Sequence, residues 1–541
     1  MREICVSITS RCGSRLSAAT ISVALTVTVL AGCASDNSPN EPAPGPQIND
    51  MNPGLDVGVP IPDGQIDSAV GKLDGLAQEL MESSGVPGMA IAVVHGGKTV
   101  YAKGFGVREQ GKDAPVDADT VFQLASLSKP VGATVVAHEV GVGTVEWDTL
   151  VKSELPNFAL SDPWVTDHLM ISDLYAHRSG LPDHAGDALE DIGYNRAQIL
   201  DKLRQLPLEA FRVTYEYTNF GITVGAEAVA AAAGTSWESL SQNTIYGPLG
   251  MTSTSSSFAD YQARENRAVG HQLHDGEYTA GVVRQPDAQS PAGGVTSSVS
   301  DMAKWMDMVL GGGESGGKQI VETEALVPAV SPEIVSRHPA ELGERAGFYG
   351  FGFNVSDGST GRVTLGHSGA FILGAATHML MIPSADVGII ALTNGSPTGV
   401  PETLTAEFAD LVQYGEITRD WRTPYKAMLS AQLEPEGELV GQSPPANPAP
   451  SAPLEALAGT YDNPYWGGAE VAELSGALTL TLGPARTTYP LTHWDGNTFT
   501  FALATENAPI GTVSRAIFDG NSLTLEYFDS DGLGTFVRAP R

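Results

Sequence analysis

Three short patterns place side chains able to do chemistry at useful spacing. Ser126-Leu127-Ser128-Lys129 sets a hydroxyl and an amine three residues apart, behind the apolar lead-in Val121 to Ala125. If a helix starts near Ala125, the two side chains stand one turn above each other. A free serine is a poor nucleophile, and an adjacent base that takes its proton makes it a good one. Lysine is such a base only where burial or nearby positive charge lowers its pKa. Further on, Tyr217-Thr218-Asn219 offers a phenol and a carboxamide, and His367-Ser368-Gly369 lies at a strand-like stretch. The first pattern recurs as Ser315-Gly316-Gly317-Lys318, but inside the glycine-rich stretch Gly311 to Gly317, which cannot hold a preorganised helical turn. Ser126 is therefore the candidate nucleophile. Tyr217 read as a core aromatic and Asn219 read as a turn or cap residue are the plain structural alternatives.

These residues need elements to hold them. The Ser126 helix is expected to continue to about His138, with Pro130 in its first turn, where the missing N–H costs nothing; proline nevertheless biases Lys129 away from helical dihedrals. Ile66, Val70, Leu73, Leu76 and Leu80 repeat at helical spacing. Met89–His95 and Thr99–Val107 read as strands of a hairpin turned at Gly96-Gly97. Tyr217-Thr218-Asn219 leads into an alanine-rich helix ending near Gly234, and another helix is expected over Ser236–Leu249. Ser300–Leu310 and Pro401–Val412 read as helices; Tyr349–Phe353, Val363–Leu365, Ala375–Ile382 and Val387–Thr393 read as antiparallel strands. His177 and His184 are open to a catalytic role, with loop anchoring the plainer reading. His271 and His274 have metal-like spacing, but the Gly276 turn follows at once and no third ligand cluster is evident, so no metal is expected.

The chain has 541 residues, 42% of them apolar, enough for a large core and more than one domain. Its formal charge of −33 argues against nucleic acid and against attraction to anionic head groups, and solubility alone accounts for it. Arg2, Arg11 and Arg15 followed by the apolar run Leu16 to Leu30 read as a signal peptide, and Leu30-Ala31-Gly32-Cys33 resembles a bacterial lipoprotein box. That resemblance implies cleavage before Cys33, a lipid anchor on Cys33, and a place in the cell envelope facing the periplasm or exterior. Cys5 and Cys12 would leave with the peptide, so neither a disulfide nor a cysteine metal site is expected. Residues 33–62 read as a tether, 63–415 as the main domain, 416–453 as a proline-rich linker and 454–541 as a small domain. In the last, alternating segments such as Leu478–Leu482, Thr498–Leu503 and Leu523–Phe528 are punctuated by Asp495-Gly496-Asn497 and Asp519-Gly520-Asn521, the pattern of a small antiparallel sheet or barrel.

With Ser-x-x-Lys, Tyr-x-Asn and His-Ser-Gly in this order, the chain resembles the serine β-lactamase and penicillin-binding superfamily. It is most similar to the class C β-lactamase branch that includes esterases and D-aminopeptidases. His177-Arg178-Ser179-Gly180-Leu181-Pro182, Pro248-Leu249-Gly250-Met251, Pro291-Ala292-Gly293-Gly294 and Tyr349-Gly350-Phe351-Gly352 also look like landmarks of that branch, which extends the resemblance from about Ile66 to Val412. The resemblance implies an α+β fold, an antiparallel sheet flanked by a helical region. It implies that Ser126 is acylated and that Lys129 and Tyr217 carry protons to and from it. Asn219 would bond the acyl side chain and Lys129, and the backbone N–H groups of Ser126 and Ala370 would hold the oxyanion next to His367, Ser368 and Gly369. No cofactor is implied, only a small-molecule or short-peptide substrate. One departure stands out: β-lactamases of this superfamily usually carry lysine where this chain has His367. An uncharged imidazole holds a substrate carboxylate less well, which favours a peptidase or esterase acting on D-amino-acid peptides or esters over a dedicated β-lactamase or D-alanyl-D-alanine carboxypeptidase. The C-terminal region, opening with Gly459-Thr460-Tyr461, looks like the lipocalin-like domain appended to some of these hydrolases.

Competing readings are an α/β-hydrolase using Gly313-Glu314-Ser315-Gly316-Gly317, a non-catalytic envelope receptor, and a structural lipoprotein. The first needs a strand before its serine and a helix after it. The other two have no use for an intact Ser–Lys–Tyr set.

Overall fold

A computed structural model describes residues 52–540 apart from Val282. The expected signal peptide, Cys33 and most of the tether lie outside the described residues. The end of the tether is described: Gly58 N–H donates to Thr360 O at 2.9 Å, pinning this segment to the main domain.

The main domain is built on an eight-stranded antiparallel sheet. Its order is Thr99–Gly106, Gly88–His95, Val387–Thr393, Ala375–Ile382, Val363–Phe371, Asn354–Asp357, Gly347–Tyr349 and Ile334–Arg337. Successive side chains of a strand point to opposite faces, and here both faces are covered. From Gly88–His95, Met89, Ile91 and Val93 enter one core, together with helices Leu73–Ser84 and Val400–Tyr414. Ala90, Ala92 and Val94 enter the other, which continues into the helical region. Two helices lie at the centre of that second core, Ser128–Gly141 and Asn219–Ala232. Each is buried along nearly its whole length, which is why their apolar residues run all round the helix and not in one stripe.

The Gly88–His95 and Thr99–Gly106 strands join through Gly96 and Gly97, with φ 63° and 70°. Two left-handed central residues make the tight turn whose twist suits a hairpin, and glycine adopts them without strain. Several boundaries differ from the sequence reading. The Ile66–Leu80 repeat is two helices, Gln65–Val70 and Leu73–Ser84. The expected Ser236–Leu249 helix is α-helical only over Trp237–Ser241 and continues as a π-helical turn, Gln242–Tyr246. The strand at Tyr349 stops there, because Gly350 and Gly352 turn the chain against Ala329 and Lys129.

The C-terminal region is a closed eight-stranded barrel, a meander from Gly459–Asn463 to Thr535–Arg538 with those two strands paired. Closure leaves no unpaired edge. Alternate residues such as Leu478, Leu480 and Leu482, or Phe499, Phe501 and Leu503, are buried. The last expected strand ends at Leu525 and gives way to the turn Glu526–Asp529. The proline-rich connection is shaped as well: it carries helix Arg422–Ser430, and Val513 N–H donates to Glu436 O at 2.9 Å along the barrel.

Candidate active site

The Ser126 turn is held on both sides. A short 3₁₀ turn, Ala125–Leu127, leads into helix Ser128–Gly141, so Ser126 and Lys129 do share one face. Pro130 falls within the first helical turn and leaves Lys129 helical. Ala125 is buried with φ 48°, a left-handed setting that strains a residue with a Cβ and that clusters at functional turns. Ser128 Oγ donates to Ala125 O at 2.7 Å and accepts from Val295 N–H at 2.9 Å, fastening the turn to the glycine pair before Val295. On the other side Thr377 Oγ1 donates to Leu124 O at 2.8 Å. Gly369 faces the turn so closely that an added Cβ would meet Leu124 O at 2.3 Å and Ser126 N at 3.0 Å. Only glycine allows this approach of strand to nucleophile.

Ser126 Oγ receives two contacts, from Lys129 Nζ at 3.1 Å and from Tyr217 OH at 2.8 Å. Lys129 Nζ also donates to Asn219 Oδ1 at 2.6 Å and Ala292 O at 3.0 Å, and lies 4.4 Å over the Tyr217 ring. Burial drives the lysine down to about 7, against the opposing charge of Asp187. At neutral pH roughly half of it is then free base, about a thousandfold more than for an ordinary lysine. Burial moves Tyr217 the other way, well above its usual range, so the phenol keeps its proton. The lysine is thus the group able to take the serine proton, and the tyrosine hydroxyl the group able to pass one on.

His367 lies on strand Val363–Phe371 and is 4% exposed. Its Nδ1–H donates to Ser368 O at 2.6 Å, leaving Nε2 to accept from Tyr349 OH at 2.9 Å. Burial and the charge of Lys129 push it down to about 3, so it is a neutral ring across the whole physiological range. Ser368 and Ala370 line the same cavity as Ser126, Tyr217, Asn219 and His367. The structure therefore brings together Ser126, Lys129, Tyr217, Asn219, His367, Ser368, Gly369 and Ala370. Ser315 is elsewhere: Glu314–Ser315 and Lys318–Gln319 form a two-residue hairpin turned at Gly316 and Gly317, with φ 58° and 74°.

His177 is an anchor, as its plainer reading had it. Fully buried with φ 56°, it accepts from Thr218 N–H through Nδ1 at 3.1 Å and packs against the Tyr217 ring at 4.5 Å and the Tyr349 ring at 5.0 Å. Burial keeps it neutral. His271 likewise accepts from Gln110 N–H and bonds Asn394 O, joining loops to the sheet.

The cavity measures about 720 Å³ and has two owners. The main domain supplies the residues above and Arg284; the barrel supplies Tyr465, Trp466, Glu506, Asn507 and Tyr527. Glu506 is the joint between them. Its carboxylate accepts from Ile372 N–H at 3.0 Å and Leu373 N–H at 3.4 Å, just beyond the strand that carries Ala370. Burial pushes it up to about 8, partly offset by Arg284. Arg284 in turn pairs with Glu190 at 2.5 Å. Asn507 donates to Asp191 Oδ2 at 3.0 Å and to Asp187 O at 3.2 Å. The sequence reading did not find Asp187, Ala292, Arg284 or Glu506. Asp187 stood beside the noted His184, and Ala292 within a noted motif, but nothing local marked either as a partner of Lys129 or of Asn219.

The fold and this cluster define a serine hydrolase of the β-lactamase/transpeptidase architecture. Comparison with known proteins is more specific. The family described as Beta-lactamase matches residues 73–414, and the chain belongs to that family. Residues 443–532 match the family described as Domain of unknown function (DUF3471). An unguisins hydrolase from Aspergillus violaceofuscus is 27% identical over 78% of this chain and 81% of its own. Penicillin-binding protein 4 of Amycolatopsis lactamdurans is 27% identical over 70% of this chain and 93% of its own. The D-alanyl-D-alanine-carboxypeptidase/endopeptidase AmpH of Escherichia coli is 25% identical over 63% and 88%. Among solved structures, an octameric penicillin-binding protein homologue from Pyrococcus abyssi shares the fold with a TM-score of 0.56 at 22% identity, over 84% of this chain and 98% of that one. A class C β-lactamase from Rhodobacter sphaeroides does so at 0.52, also with 22% identity, over 64% and 98%.

Proposed function

We propose that this β-lactamase-family serine hydrolase works through an acyl-enzyme on Ser126, on small amide or ester substrates of the D-amino-acid peptide or ester class. The observation that carries the reading is the double hold on Ser126 Oγ by a buried lysine at 3.1 Å and a tyrosine hydroxyl at 2.8 Å. Lys129 takes the serine proton as Oγ bonds to the substrate carbonyl carbon. The backbone N–H groups of Ser126 and Ala370 receive the oxyanion. As the tetrahedral adduct collapses, the proton passes by Lys129 and Tyr217 to the leaving amine or alkoxide. Water then attacks the acyl-enzyme along the same path in reverse and frees Ser126. Asn219, bonded to Lys129 through Oδ1, keeps the base in place and faces the acyl side chain.

The substrate class rests on His367. A neutral ring already engaged by Tyr349 offers no cation for a carboxylate, so neutral esters and amides suit the site better than penicillins. The cavity walls from two domains favour small substrates. The proteins similar to this chain include an unguisins hydrolase and a D-alanyl-D-alanine-carboxypeptidase/endopeptidase. A panel of p-nitrophenyl esters, D- and L-aminoacyl anilides, a D-Ala-D-Ala peptide and nitrocefin tests the reading. Turnover of D-aminoacyl anilides or esters well above nitrocefin supports it. Turnover of nitrocefin or the D-Ala-D-Ala peptide alone selects a β-lactamase or carboxypeptidase, the second reading, which the similarity to the carboxypeptidase/endopeptidase AmpH favours.

For location, the Leu30-Ala31-Gly32-Cys33 run supports a lipid anchor on Cys33 in a bacterial cell envelope. Among the described residues no helix is long and apolar enough to cross a membrane. Replacing Cys33 with Ser should release the protein from the membrane fraction; a variant that still sediments with membranes overturns the anchor.

A further inference from the structure

Behind Lys129 and Asn219 lies a carboxylate that the scheme above does not use. Asp187 is 3% exposed at the start of the short helix Asp187–Asp191. Its Oδ2 accepts from Asn219 Nδ2–H at 2.7 Å and meets His184 Nδ1 at 2.8 Å, while Oδ1 is buried with no hydrogen-bond partner. Burying a carboxylate is costly, and this one is bonded where it can do work on Asn219. The work here follows from the donor inventory. A carboxylate only accepts, so it captures the NH₂ end of Asn219. That leaves Oδ1 of the carboxamide facing Lys129 Nζ, the 2.6 Å contact. Turned over, the carboxamide would aim its N–H groups at the amine. The negative charge of Asp187 also favours the lysine cation, opposing burial. The other partner of Asp187 is His184, which lines the cavity at φ 55°, its backbone N–H donating to Tyr217 O at 2.8 Å.

We propose that Asp187 is a positioning residue that fixes the Asn219 carboxamide and supplies the negative charge behind Lys129, with His184 as its cavity-facing partner. The proposal rests on the acyl-enzyme reading above. Other groups facing the pair are Asp183, 3.9 Å from the His184 ring, the phenols of Tyr217 and Tyr465, which burial keeps protonated, and the Glu190–Arg284–Asp191 cluster, whose charges partly offset.

The test is the pH profile of kcat/KM for p-nitrophenyl acetate with the full chain. Asp187→Asn keeps an acceptor for Asn219 but removes the charge, so the acid limb should move to lower pH by about one unit, the low end of what a neighbouring charge does. Asp187→Ala also frees the carboxamide, and the plateau should fall by about 100-fold. Asp187→Glu should bring the limb back toward wild type. His184→Gln removes an imidazole that Asp187, against burial, holds toward its charged form, and should move the limb to higher pH. An Asp187→Asn limb within about 0.3 unit of wild type overturns the proposal whatever the plateau, and that variant decides the matter alone if Asp187→Ala fails to fold. Ser126→Ala separates the two readings. If it is inactive and the limb is unshifted, only the Asp187 assignment fails; if it keeps turnover, the acyl-enzyme reading has failed.

Discussion

Gly369→Ala probes the nucleophile turn without touching any side chain that carries a proton. The new Cβ would lie 2.3 Å from Leu124 O, 2.3 Å from Thr377 Oγ1 and 3.0 Å from Ser126 N. Thr377 can rotate away, losing its bond to Leu124 O at about 1 kcal/mol. Leu124 O cannot, because it belongs to the backbone of the turn. Reaching an ordinary contact of about 3.5 Å requires strand and turn to part by about 1 Å. That gap opens between Ala370 and Ser126, the two residues whose N–H groups are proposed to hold the oxyanion. Misplacement by about 1 Å costs about 100-fold, and losing an oxyanion donor about 100- to 1000-fold in kcat. Overpacking should cost a further 1–3 kcal/mol or so of stability. Steady-state kinetics on a p-nitrophenyl ester, with a thermal melt to confirm folding, gives the answer. The expected result is a folded enzyme with kcat down by about 100-fold or more and an acid limb where wild type has it, since the Lys129 pocket is unchanged. A folded variant within about fivefold of wild type would refute the claim that strand Val363–Phe371 supplies the second amide.

Three other outcomes follow from the charge states. The rate of Ser126 labelling by a fluorophosphonate should fall about tenfold per pH unit below the Lys129 pKa of about 7; a rate flat down to about pH 5 would mean that Lys129 is not the base. The same depressed pKa means the folded state resists protonation of Lys129, so this residue adds stability as pH rises from about 7 toward 10.5 and withholds it below, and the urea midpoint of Lys129→Met should lose that slope. His367→Lys, which puts a cation where a neutral ring now sits, should raise nitrocefin turnover relative to neutral esters. An unchanged ratio would mean that His367 does not set the preference.

What the sequence made legible and what it hid divide by range. Ser126 and Lys129 are three residues apart, so helical spacing alone aligned them, and Gly316-Gly317 disqualified Ser315 for an equally local reason. The β-hairpin at Gly96-Gly97 and the barrel turns at Asp495-Gly496-Asn497 and Asp519-Gly520-Asn521 were legible for the same cause: turn geometry is written in adjacent residues. The partners of Lys129 are not local. Ala292 reaches it across 163 positions, and Asn219 across 90. Asp187 meets Asn219 across 32 positions, through short helices and turns whose pattern does not show which residues meet. Glu506 touches the end of the Ala370 strand from the barrel, 134 positions away. The neutrality of His367 was anticipated from its ordinary pKa; the larger shift came from burial, which a sequence does not display.

Whether Ser126 is the one nucleophile is read by intact-mass analysis after fluorophosphonate treatment. Wild type and Ser315→Ala should each gain a single adduct, and Ser126→Ala should gain none. An adduct on Ser126→Ala, or its loss on Ser315→Ala alone, would contradict the account and return the nucleophile to the glycine hairpin.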